Sequence, residues 1–120
     1  MLLDWIGIGI GGVLGSLLRF FTTSLINRFW HYSFPIATFS INLTGSFALA
    51  ILYLLDHGSD KLFILDTIGI GFLGAFTTFS TFTYETAILM DRRAFTAAFS
   101  YLVLSVALGI SGAWVAHLVI

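Results

Sequence analysis

The residues best able to do chemistry are concentrated in one run, Gly69-Ile70-Gly71-Phe72-Leu73-Gly74-Ala75-Phe76-Thr77-Thr78-Phe79-Ser80-Thr81-Phe82-Thr83. Three glycines lead into a stretch where five of seven residues are Ser or Thr, interrupted by Phe79 and Phe82. Glycine and hydroxyl-bearing residues make a weak helix, because one is too free and the others compete for backbone hydrogen bonds. A break between about Gly74 and Thr78 would free backbone carbonyls and N–H groups. Carbonyls of that kind hold cations, and helix N-termini hold anions. The plainer reading is a kink whose hydroxyls bond carbonyls one turn back. Phe79 and Phe82, three apart, share a helix face. Their ring edges carry partial positive charge and could rest against a small anion, although phenylalanine pairs more often simply pack.

Three further polar residues stand in apolar surroundings. Asn42 offers two donors and a strong acceptor; it either hydrogen-bonds a neighbouring helix or lines a path. Arg19 could snorkel along its stem or draw anions into a vestibule. Glu85 could pair with Arg19, cap a turn or carry protons, with pairing or hydrogen bonding the favoured reading.

These side chains need elements to hold them, and composition says in which solvent. Of 120 residues, 58% are apolar and 9% charged, with a mean hydropathy of +1.02. A soluble surface needs about 25% charged residues; lipid suits this one. About 20 apolar helical residues cross a bilayer, so the chain accommodates four crossings, at about 5–26, 35–55, 62–90 and 94–118, as a single transmembrane domain over 1–120. Pro35 suits a helix start, Asp56 to Lys61 forms the clearest loop, and Asp91-Arg92-Arg93 forms a tight turn. Trp5, Trp30 and Trp114 fall near span ends, where interfacial anchors belong. The N-terminal run lacks a basic leader and reads as a retained first span, not a cleaved signal. Arg28, Arg92 and Arg93 sit on one side against Lys61 on the other, a bias too small to fix orientation.

Gly7, Gly11 and Gly15 recur every four residues, as do Ser105, Gly109 and Ala113, a spacing that lets helices approach closely in lipid. Gly7-x-Gly9-x-x-Gly12 and Gly69-x-Gly71-x-x-Gly74 spell a dinucleotide fingerprint but lack the strand it requires. Asn42-Leu43-Thr44 spells a glycosylation acceptor but lies mid-span. With no cysteine and with His31, His57 and His117 far apart, no metal cluster is indicated. Five scattered basic residues exclude a nucleic-acid surface.

Gly11-Gly12-x-x-Gly15-x-x-x-Arg19, Asn42-x-x-Gly45 and Gly74-x-x-Thr77-Thr78-Phe79-Ser80-Thr81-Phe82-x-x-Glu85 together resemble the Fluc family of fluoride channels. The resemblance runs from end to end, with mild departures at Ala75, Phe76 and Thr83. It implies an all-α membrane protein of four transmembrane helices, the third broken near its middle, assembled as an antiparallel homodimer of dual topology in the cell (inner) membrane. It implies passive export of fluoride and no enzymatic activity. Phe79, Phe82 and Asn42 would line the pore, with Ser80, Thr81, Tyr101 and Ser105 as further polar pore residues. A structural Na⁺ would be held at the dimer centre by backbone carbonyls of Gly74 and Thr77, and Arg19 and Glu85 would serve vestibule or structure. The alternative is a small proton-coupled multidrug exporter. That class relies on a carboxylate in mid-span one, whereas here Asp4 stands at the start of that span and Asp66 and Glu85 lie in span three.

Overall fold

The structure is a computed structural model that describes residues 1–55 and 62–119. Every element among these residues is helical. Helix α1 is Leu2–Phe29, α2 is Ile36–Leu55, α3 covers residues 62–76, α4 is Phe79–Asp91 and α5 is Phe95–Val119. The expected loop at Asp56 to Lys61 lies outside the described residues.

Among the described residues three helices, α1, α2 and α5, are long and apolar enough to cross a membrane. At about 1.5 Å per residue, the 20 residues of α2 match the roughly 30 Å hydrocarbon core. Most large apolar side chains on α1 and α5 point away from the protein, Trp5, Phe20, Phe21, Phe99 and Trp114 among them. That inverted surface is what lipid contact requires.

Small residues decide the packing. A Cβ added at Gly11 would overlap the carbonyl oxygen of Thr67, and one at Gly15 the carbonyl oxygen of Phe72. Only glycine permits so close an approach of α1 to α3. The contacts climb in step, Gly7 beside Phe63 and Thr67, Gly15 beside Phe72 and Phe76, so the two helices run parallel. Residues Leu65–Leu73 of α3 form a π-helix, and the Gly74 N–H donates to the Gly69 carbonyl five residues back. The wider turn presses carbonyls towards the α1 glycines, and Gly71 is left to meet the backbone of Ile8.

The other half is a pair of parallel helices, α2 and α5, with α4 packed against them. Its small core contains Leu89, Ala98 and Tyr101, bordered by Phe34, Phe39 and Phe82. Tyr101 is fully buried, its ring edge-on to Phe34 and Phe82 with centroids 5.6 and 4.9 Å away. Pro35 precedes α2 as its missing N–H allows, and its carbonyl accepts from the Phe39 N–H at 3.1 Å.

Between α3 and α4 the chain leaves helical geometry for two residues. Thr77 has φ −77° and ψ 157°, and Thr78 has φ −147° and ψ 121°.

Candidate functional site

The site is built around these two extended residues. In an uninterrupted helix the Thr78 N–H would donate to the Gly74 carbonyl, and the Thr81 N–H to the Thr77 carbonyl. Here the Thr78 N–H donates to Asn42 Oδ1 at 2.8 Å, and the Thr81 N–H donates to Thr78 Oγ1 at 3.2 Å. The carbonyls of Gly74 and Thr77 are thereby released from helical bonding.

Asn42 closes the gap from α2. Its Nδ2 donates to the Thr78 carbonyl at 2.9 Å while its Oδ1 accepts from the same residue's N–H, so one amide grips both sides of Thr78. This uses one of the two Nδ2 hydrogens. Gly45, one turn along α2, makes room, since a Cβ there would strike the Thr77 methyl. Thr78 also caps α4, the hydroxyl side chain doing for Thr81 what a preceding turn would otherwise do.

Two clefts flank the break. One, of about 290 Å³, is lined by Asn42, Thr77, Thr78, Phe79, Phe82 and Ser105, with Ser46 and Val106 completing the wall. Phe79 is 77% exposed and lies 6.1 Å from Phe82 between ring centroids, the planes tilted by 33°. The second, of about 300 Å³, is lined by Arg19, Thr23, Thr38, Thr78 and Thr81, with Ser16, Phe20 and Ser24. Thr78 belongs to both.

The sequence-derived residues therefore divide. Asn42, Phe79, Phe82, Ser105 and Thr77 share the first cleft, while Arg19 and Thr81 share the second. Tyr101 sits behind Phe82, and among the described residues its hydroxyl and Ser105 Oγ make no hydrogen bond within the distance limit. Ser80 is exposed and lies 3.4 Å from Thr78 Oγ1, outside the walls of both clefts. Gly74 lines neither.

Arg19 and Glu85 do not pair. Arg19 Nη1 points at the Thr77 carbonyl at 3.5 Å, the outer limit of a hydrogen bond. Glu85 instead accepts a hydrogen bond from the Thr38 hydroxyl. Among the described residues the one ion pair joins the N-terminus to Asp4. Thr38 and Ser46 are residues that sequence reasoning passed over, and Thr78 was placed at the break without a site role. The signal was there on α2: Thr38, Asn42, Gly45 and Ser46 follow i, i+4, i+7, i+8 and share one face.

Long apolar helices with lipid-facing side chains, joined around polar clefts, define a multi-pass helical membrane protein. The chain belongs to the CrcB family: the family described as "CrcB-like protein, Camphor Resistance (CrcB)" matches residues 6–117. Among relatives, a Bacillus cereus protein named "Fluoride-specific ion channel FluC 1" is 43% identical over 106 residues, covering 87% of this chain and 77% of its own. A Carboxydothermus hydrogenoformans protein of the same name is 38% identical over 120 residues, 97% of this chain and 95% of its own. The Campylobacter jejuni "Fluoride-specific ion channel FluC" is 36% identical over 114 residues, 93% of each chain.

Proposed function

We propose that this protein is a passive, fluoride-selective channel that lets the anion leave the cell and so lowers fluoride toxicity. The observation that carries the reading is the convergence of Phe79, Phe82 and the Asn42 amide on one cleft at a helix break, in a chain whose relatives are named fluoride channels. A small dehydrated anion needs hydrogen-bond donors and partial positive charge. Phenyl edges supply the second; the remaining Asn42 hydrogen, the Ser105 hydroxyl and the N-terminus of α4 supply the first. An inside-negative potential drives an anion outward by about 2.3 kcal/mol per 100 mV, so export requires no further energy source.

In this reading α3 and α4 together make a fourth crossing, broken at Thr77 and Thr78. Extended backbone at membrane depth is stable only where protein or water surrounds it, and the grip of Asn42 provides the first. The functional unit is an antiparallel homodimer, whose second copy would cover the exposed Phe79 and complete two pores. A structural Na⁺ fits the carbonyls of Gly74 and Thr77, since both have lost their helical donors and carbonyl oxygen suits a hard cation. Two chains would contribute four such oxygens. Thr77 also meets Arg19, but a carbonyl has two lone pairs. Thr81, Tyr101 and Ser80 are further polar residues of the pathway, and Thr38 holds Glu85 beside it.

The test is efflux from liposomes loaded with fluoride or chloride, using the purified protein and a Phe82→Ile variant. Fast fluoride efflux, little chloride efflux and loss of the fluoride signal in the variant are expected. A folded protein that passes no fluoride would sink the proposal.

A further inference from the structure

A third cleft lies away from the break, where α4 turns into α5. It has a volume of about 250 Å³ and is walled by Thr86, Met90, Phe95, Ala98, Phe99 and Leu102. Its one polar side chain is already satisfied, because the Thr86 hydroxyl donates to the Phe82 carbonyl at 2.8 Å. The groove is therefore dry and apolar. From Phe95 to Leu102 it runs seven residues along α5, about 10 Å, and Phe99 in its wall is 69% exposed.

Its upper end meets the exposed turn of Asp91, Arg92 and Arg93. That turn is a tightly hydrogen-bonded helix stop: the Ala94 N–H donates to the Leu89 carbonyl at 2.8 Å and the Arg93 N–H to the Met90 carbonyl at 3.0 Å. This is the Schellman pattern, whose left-handed position normally falls to glycine. Here it falls to Arg93, at φ 58°, at a steric cost that glycine would avoid. Arg92 and Arg93 are both exposed and fall in the turn between Met90 and Phe95, two residues of the groove wall.

We infer that the α4–α5 hairpin is a binding site for an anionic phospholipid, with the start of one acyl chain in the groove and the headgroup phosphate on Arg92 and Arg93. A planar guanidinium matches phosphate oxygens in pairs, and a 10 Å apolar trough beginning at the interface has the dimensions of the upper part of a lipid tail. Asp91 offsets one of the two charges. The net single charge corresponds to about a fivefold preference for an anionic over a zwitterionic lipid. This site is independent of which ion the protein conducts.

The test uses a Phe99→Trp variant of the full chain in bilayers containing a small, equal fraction of either dibrominated phosphatidylglycerol or dibrominated phosphatidylcholine. Bromine quenches only an indole that it touches, and the unsubstituted protein supplies the background from Trp5, Trp30 and Trp114. The added emission should be quenched about fivefold more effectively by the anionic lipid. The preference should vanish when Arg92→Gln is combined with Arg93→Gly and survive when both are changed to Lys. Arg93→Gly relieves the left-handed strain, so loss of preference in that variant is not a folding defect. Equal quenching by the two lipids would overturn the proposal in favour of ordinary solvation. Quenching by neither would overturn it too, since the groove would then be covered by protein, most simply a second copy.

Discussion

The interface of α1 with α3 and the cluster formed by α2, α4 and α5 hold the same polar break from opposite sides by opposite means. In the first, backbone meets backbone at Gly11 and Gly15, while Gly7 is buried against the side chains of Phe63 and Thr67. In the second, side chains reach across, Asn42 to Thr78 and Thr38 to Glu85; among the described residues the hydroxyls of Tyr101 and Ser105 here, and of Thr67 in the first half, make no hydrogen bond. Lipid tails are as apolar as leucine, so no hydrophobic drive separates the helices from their solvent. Close shape fit and polar contacts are the forces that remain, and this fold assigns one to each half. The glycine half is a fixed wall. The polar half is held by side-chain hydrogen bonds.

The largest effect should come from filling the wall. Gly15→Ala and Gly11→Ala drive a methyl into the Phe72 and Thr67 carbonyls, and backbone cannot swing aside as a side chain can. Overpacking of this kind costs about 1–3 kcal/mol or more. Gly9→Ala, with nothing within 4 Å of the added carbon, should instead leave stability unchanged or raise it by up to about 1 kcal/mol. Thermal melting of the purified protein in detergent separates the three. Similar behaviour at Gly9 and Gly15 would mean that the α1–α3 interface is not the close-packed wall described.

Next in size is the clamp. Asn42→Ala takes both partners from Thr78 at once and leaves a backbone donor and acceptor to find water in a narrow cleft. Each unmet group costs about 1–3 kcal/mol when buried; the cleft is open, so about 2 kcal/mol in total is the expectation. Asn42→Asp keeps an acceptor for the Thr78 N–H but turns a second, charged acceptor on its carbonyl at membrane depth, and should be at least as destabilising as alanine. The same melting series reads this order, and fluoride efflux should fall with it. An aspartate variant more stable than the alanine one would mean that the Thr78 N–H, more than its carbonyl, is the group that needs Asn42.

Much of this was legible in the sequence, for reasons that particular residues make plain. The apolar runs that became α1, α2 and α5 are long and uniform, and lipid imposes a length that composition alone can meet. The glycine and hydroxyl run marked the position of the extended residues because poor helix formers cluster there. Gly11 and Gly15 were readable as packing residues, but α3 as their partner was not, since a four-residue spacing names a face and not its neighbour. The π-helix of Leu65–Leu73 was not expected from the sequence, whose poor helix formers pointed to a break further along. Glu85 was expected to pair or hydrogen-bond, with Arg19 a candidate; it bonds Thr38, a neutral hydroxyl, while Arg19 turns to the Thr77 carbonyl. Charge complementarity suggested a partner that register did not bring into reach.

The smallest effect tests whether the polar half works through single atoms. Thr78 supplies α4 with its cap through one oxygen, which accepts from the Thr81 N–H at 3.2 Å and donates to Thr81 Oγ1 at 3.1 Å. Thr78→Val keeps the shape and the extended backbone preference but deletes that oxygen. Loss of such a cap costs about 1 kcal/mol. Thr78→Ser keeps the oxygen and should differ from wild type by no more than a few tenths of a kcal/mol. Because Asn42 holds Thr78 through its backbone, the valine variant should keep the break in place and lose only the cap. Combining Thr78→Val with Asn42→Ala then asks whether the two bonds are separate supports. Costs that add would mean that clamp and cap act independently on one residue. A double variant no worse than Asn42→Ala alone would mean that the cap forms only after the clamp has drawn Thr78 out of the helix.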